Sequence, residues 1–169
     1  FFEIYNPGLP VNMAGYTLSA GVTHTFAEYT LASGSYLVVA ANAASYVASN
    51  VVAWSSGSLS NGGETVTLLD AAGSEMDTVT YGNSGDWSPL ANGDGYSLEL
   101  IDTDSDNDVG AHWRPSFVQG GTPGAALSTE PESVSLSVGD IRLTNPIGDY
   151  VVTGGVVTGA FPEMNRFAI

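Results

Sequence analysis

The stretch LELIDTDSDNDVGAHWRPS, residues 98–116, carries the densest set of chemically capable side chains, with aspartates at 102, 104, 106 and 108. Carboxylates at alternate positions are what a calcium loop uses, because the ion gathers oxygen ligands from a flexible turn. An EF-hand loop needs oxygens at positions 1, 3 and 5, glycine at 6 and a bidentate glutamate at 12. Counted from Asp102, positions 3 and 5 are Asp104 and Asp106, position 6 is Asn107 and position 12 is Trp113, which cannot ligate. Counted from Asp104, Val109 and Pro115 fall at positions 6 and 12. Neither register makes an EF-hand. Two readings stay open: a solvated turn, which is preferred, and a weak calcium site using Asp102, Asp104 and Asp106 with water completing the shell. Four close carboxylates repel one another, so an exterior cation would help to order them. No cofactor beyond such a weak structural calcium is expected.

Other constellations carry less. His112, Trp113 and Arg114 are adjacent, but a buried indole is an anchor for a core, and Arg114 is expected to pair with a nearby acid. His24 is expected in a loop far away in sequence, so the two histidines make no zinc site. GGTPGA (120–125) has the glycines of a phosphate loop, but that loop needs Gly-Lys-Ser/Thr and the chain has no lysine. Serines and aspartates abound, yet no Gly-x-Ser-x-Gly elbow presents a nucleophile. The carboxylate pairs in EMD (75–77) and EPE (130–132) fall on a hairpin and a linker rather than in a cleft. Catalysis by this stretch is not expected. Tyr29, Tyr46 and Trp87 would serve either as contact anchors for a glycan or protein or, as preferred here, in packing.

Charge narrows the partners. The net charge is −15 at pH 7, and the only cations besides histidine are Arg114, Arg142 and Arg166. Nucleic-acid binders rely on basic stripes, so direct nucleic-acid binding by this region is not expected. Such a surface suits a salty or calcium-containing exterior. Cysteine is absent, which removes disulfides, thiolate metal sites and cysteine nucleophiles. No apolar run approaches the roughly 18 residues of a membrane span.

The elements that must hold these residues are strands. Runs of β-branched and aromatic residues recur between turn residues, without helical periodicity. They are FFEIY (1–5), YTLSA (16–20), SYLVVAA (35–41), NVVAW (50–54), ETVTLLD (64–70), MDTVTYG (76–82) and YSLELID (96–102). The clearest hairpin joins 64–70 to 76–82 through AAGSE, with Gly73 in the turn. NAASYVAS (42–49) reads as a single helical turn or a loop. Alternation puts Val66 and Leu68 on one face and Thr65 and Thr67 on the other. Val66, Leu68, Leu98, Leu100 and Trp113 are the expected core. STEPES (128–133) reads as a linker. Beyond it, VSLSVGDIRL and DYVVTGGVVTGAF are strand-like, with Gly154–Gly155 marking a bulge.

These phrases together resemble a known family. FFEIYNPGLPVNMAGYTLS is similar to the opening of the lamin-tail domain, an immunoglobulin-like β-sandwich. LASGSYLVVAAN, LSNGGETVTLLDAAGSEMDTVTYG and GYSLELIDTDSDNDVGAHWRPSFVQGGTPGA resemble its later segments in the same order, covering about residues 1–126. The family normally has a strand before EIYNP, and here it is missing. VGDIRLTNPIGDYVVTGGVVTGAFPEMNRFAI resembles the opening of an OB-fold. In bacterial secreted nucleases a lamin-tail domain precedes an OB-fold and then a catalytic domain of the endonuclease/exonuclease/phosphatase type.

The resemblance implies an all-β chain: an immunoglobulin-like antiparallel β-sandwich over 1–127 lacking its first strand, a linker over 128–133 and a partial OB-like segment over 134–169. FFEIYNP begins, and NRFAI stops, inside a strand pattern, so the sequence reads as a piece of something longer. Open edges of this kind are completed by strand addition, from missing parts of the same polypeptide or from neighbouring chains. The expected function is a noncatalytic accessory or adhesion region of a secreted bacterial protein, an extracellular metal-dependent nuclease first. The alternatives are a subunit of an extracellular filament or surface assembly, and a calcium-dependent carbohydrate-binding module.

Overall fold

The computed structural model describes residues 1–130. The OB-like expectation for 134–169 and the Gly154–Gly155 bulge lie outside the described residues. The first compact unit spans Phe1–Thr129. It is all-β, with no α-helix among the described residues and three short 3₁₀ turns, at Ala43–Ser45, Pro89–Ala91 and Gly110–His112.

Twelve strands follow in order: β1 (Phe2–Tyr5), β2 (Val11–Asn12), β3 (Thr17–Ser19), β4 (Val22–Thr25), β5 (Thr30–Leu31), β6 (Tyr36–Ala40), β7 (Val51–Ala53), β8 (Ser56–Gly57), β9 (Gly63–Leu69), β10 (Glu75–Gly82), β11 (Leu98–Leu100) and β12 (Trp113–Pro115). All seven expected runs are strands. The five that sequence reading missed have two to four residues each, too few for a period to register. One of them, β4, contains His24, so that histidine lies on a strand and not in a loop.

A three-stranded sheet, β1-β6-β7, faces a five-stranded sheet, β10-β9-β3-β4-β8, in an immunoglobulin-like sandwich. Pairing is antiparallel except between β6 and β7, where Val38 meets Val51 in parallel register. Two-stranded ribbons, β2-β5 and β11-β12, complete the unit. The β9–β10 hairpin has the expected faces: Thr65 and Thr67 meet Thr80 and Thr78 hydroxyl to hydroxyl at 3.0 and 2.9 Å on the outer side. Its turn is held by Asp70, whose Oδ1 accepts the N–H of Ala72 and of Ser74 at 2.8 Å each. Gly73 supplies the left-handed residue there, at φ +83°.

The core differs from the expected one. It is built from Met13, Leu18, Val22, Phe26, Leu31, Leu37 and Val39, with Val66 and Leu68 only partly buried against it. Leu98, Leu100 and Trp113 are half-buried and lie outside it. The reason is topological: β11 and β12 hydrogen-bond only to each other, so their apolar residues are not pressed into the space between the sheets. On β6 the run Leu37–Ala40 is buried on both faces. Leu37 and Val39 face the core, while a Cβ added to Gly124 would lie 3.8 Å from Val38 and 2.8 Å from Ala48. The segment around Gly124 therefore roofs the other side.

The sandwich also runs further than expected. Ser128, assigned by sequence to the linker, is buried, and its N–H and hydroxyl donate to Glu99 at 3.1 and 2.7 Å. Glu99 is 7% exposed and sits 3.2 Å from Arg114, which also donates to the Ser128 carbonyl and lies 4.2 Å above the Phe117 ring. This is the local acid that Arg114 was expected to find. The pair fastens the end of the unit to the β11–β12 ribbon. Tyr29 packs against the core, Tyr46 meets Phe1 edge-on at 5.1 Å, and Trp87 lies 5.9 Å from Trp113. These aromatics serve packing.

Candidate functional site

The aspartate loop spends its side chains on its own shape. Asp102 Oδ1 accepts the N–H of Asp104 at 3.0 Å, and Asp106 Oδ1 accepts that of Asp108 at 3.0 Å. These are Asx turns, the local bonding that aspartate favours. Asp108 Oδ1 accepts the N–H of Thr80 on β10 at 2.6 Å, and Asn107 donates to Asp77 on the same strand at 2.9 Å. On the other side His112 Nδ1 meets the Asp106 carbonyl at 2.7 Å and the Trp113 indole donates to the Asn107 carbonyl at 2.8 Å. The loop is thus pinned along β10, the last strand of the five-stranded sheet, and occupies one of its outward N–H groups. Asp102, Asp104 and Asp106 are all exposed. Among the described residues no group of three or more His, Cys, Asp or Glu side chains is gathered as a metal ion would need.

Two strand edges are open among the described residues: that of β1, which the reading of FFEIYNP expected to be unpaired, and that of β11, which it did not. In antiparallel pairing, residues alternate between turning their backbone groups toward the partner and away from it. Asn6 donates its N–H to the Ser35 carbonyl at 3.1 Å. By alternation in the β1–β6 register, Ile4 and Phe2 also turn toward β6, while Glu3 and Tyr5 turn their N–H and C=O outward. On β11 the Ile101 N–H donates to His112 and the Ser97 carbonyl accepts from Ser116, so Leu98 and Leu100 turn theirs away from β12. No backbone or side-chain partner meets these four residues' outward groups among the described residues.

Both edges border one cleft of about 1000 Å³. Its floor is apolar, with Ile4, Leu18, Val66 and Leu68 on the sheet side and Leu98 and Leu100 on the ribbon side. Glu3 and Glu99 also border it. A Cβ on Gly121 would meet both Ser97, just before β11, and the ring of Phe1, just before β1. Glu3 accepts the Gly124 N–H. Burial pushes its carboxyl above the ordinary range, opposed by that hydrogen bond, and the Glu99 charge adds to the rise. Free backbone donors and acceptors beside an apolar groove are groups that strand addition can use.

The described part has no helix long and apolar enough to cross a membrane. No curated protein and no solved structure gives a significant match to the chain. Residues 1–83, from β1 through β10, match the family model described as Lamin Tail Domain. With the all-β sandwich already in view, that match supports a lamin-tail domain over this stretch of the chain.

Proposed function

We propose that this chain is a noncatalytic accessory region of a secreted protein, and that its sandwich joins to its surroundings by taking a strand between β1 and β11. The observation that supports the reading is that the open edges of β1 and β11 both border one apolar cleft. A strand supplied by the rest of the polypeptide makes the unit a spacer or adhesion module. One supplied by a neighbour makes it a link in a surface assembly, and the open edges favour keeping this second arrangement beside the first. The resemblance of 134–169 to an OB-fold opening makes an extracellular nuclease the parent of choice, an argument from domain order. The acidic surface, with Arg114 the sole Lys or Arg in residues 1–130, supports a role away from nucleic acid, leaving contact with the substrate to other parts of such a protein.

The test has two arms on the chain of residues 1–169. Incubated with DNA and Mg²⁺, it should give no hydrolysis above the blank; turnover abolished by point substitution would overturn the noncatalytic reading. An extended peptide of alternating apolar residues should raise the melting temperature in a concentration-dependent way. A melting curve indifferent to such peptides at millimolar concentration would overturn the strand-uptake reading.

A further inference from the structure

The aspartate loop meets β10 through hydrogen bonds that cover the outer edge of that strand. We infer that residues 102–108 guard this edge, and that the strand they keep out is β10 of a second copy of this chain.

β10 ends the five-stranded sheet, and β9 is its one strand neighbour among the described residues. Such an edge is a template for another strand unless something covers it. The Thr80 N–H points away from β9, since it donates to Asp108 Oδ1 at 2.6 Å. By alternation the backbone groups of Thr78 point the same way. Among the described residues the Thr78 N–H meets no acceptor. The usable edge is short. A register shift between Glu75 and Asp77 bulges it at one end. At the other end a Cβ on Gly82 would lie 3.2 Å from the Trp87 ring. Thr78–Thr80 is the run left between them.

That run is complementary to itself. Two copies of β10 set antiparallel about Val79 bring Thr78 opposite Thr80 twice. Both residues then turn their backbone groups to the partner, as an antiparallel ladder requires. The same register sets Asp77 opposite Tyr81, so no two carboxylates are directly opposed. Each Thr78–Thr80 pair needs one Thr80 N–H, the donor that Asp108 occupies. Asn107 ties the loop to the same strand through Asp77 at 2.9 Å. His112 and the Trp113 indole hold the loop from its other side. Asp102, Asp104 and Asp106, exposed along the loop, set like charge against a second copy of a chain of net charge −15.

Sedimentation of the full chain at high salt, where surface repulsion is screened, tests this together with amide exchange. The wild-type chain and Asp108→Asn, which keeps a neutral acceptor for the Thr80 N–H, should stay monomeric. Asn107→Ala/Asp108→Ala should dimerise as concentration rises. In its dilute monomer the Thr80 amide should exchange at least about tenfold faster than in the wild-type chain. In its dimer the Thr78 and Thr80 amides should slow together. Adding Thr78→Pro, which removes an outward edge donor, should return it to monomer. Should the double variant fail to fold, Asp108→Ala replaces it and is read in the same way. A loop variant that stays monomeric over the whole range, or a wild-type chain that already pairs through Thr78 and Thr80, would overturn the guard. A dimer whose Thr78 and Thr80 amides stay fast would overturn the assignment of β10 as the strand kept out.

Discussion

Replacing Arg114 with methionine tests whether the end of the sandwich is clasped electrostatically. Glu99 is 7% exposed, and without Arg114 its carboxylate keeps only the Ser128 N–H at 3.1 Å and hydroxyl at 2.7 Å. Removing one partner of a buried pair costs about 3–5 kcal/mol, because a charge is left in low dielectric. The Arg114 side chain is 22% exposed, so water already screens part of the interaction, and methionine restores the packing over Phe117. The expected cost is therefore about 2–3 kcal/mol. Glu99→Gln is milder, about 1 kcal/mol, since the neutral amide can still accept from Ser128 and Arg114 can turn to solvent. The double variant should cost less than the sum of the singles. Urea unfolding followed by tryptophan fluorescence reads the ribbon directly, because Trp113 and Trp87 pack 5.9 Å apart there. With a slope of about 2 kcal/mol/M, Arg114→Met should lower the midpoint by about 1–1.5 M. A shift no larger than that of an exposed pair, or strict additivity in the double variant, would refute the clasp.

Glu3→Gln should raise the urea midpoint at pH 7. Burial holds the Glu3 carboxyl above its ordinary value of 4.5, so the stability it contributes is complete below that value and is lost as pH rises through the folded pKa; the gain from the variant should fade toward pH 4. Calcium should bind no more tightly than about millimolar, with chelator leaving the melting temperature unchanged; micromolar binding in calorimetry would contradict the turn reading of Asp102, Asp104 and Asp106. Gly110→Ala should cost about 1–3 kcal/mol and alter near-UV circular dichroism, because the added Cβ would lie 2.9 Å from the Trp87 indole nitrogen.

How much of this was legible beforehand depends on what each feature needs. The hairpin 64–82 was, because its alternation and its turn residues are local: Val66 faces in, Thr65 faces out, and Asp70 and Gly73 form the bend. The family resemblance was legible for the same reason, as an ordered set of local phrases. The core was legible only in part. Val66 and Leu68 do pack against it, but Met13, Val22 and Phe26 sit in or beside strands too short for a period to register. Leu98 and Leu100 carry the alternation of a core strand and lack its partners. The aspartate loop was read as a turn first, and its Asx turns agree with that, but its docking on Thr80 and Asp77 depends on contacts about 30 residues apart in sequence, at 28 and 30 residues. An unpaired edge at FFEIYNP was expected from the strand the family normally has before EIYNP, but the open edge of β11 was not. An open edge is a statement about which backbone groups lack partners, and no residue type announces it.

Amide hydrogen exchange on the isolated chain of residues 1–169 addresses the open slot most directly. The amides of Glu3, Tyr5, Leu98 and Leu100 should exchange as fast as unpaired edge amides do, while those of Val39 and Leu37 in the buried neighbour β6 exchange slowly. Addition of an extended peptide of alternating apolar residues should slow the four edge amides together. Four edge amides as protected as Val39 in the chain alone, or unchanged by a bound strand peptide, would contradict the account.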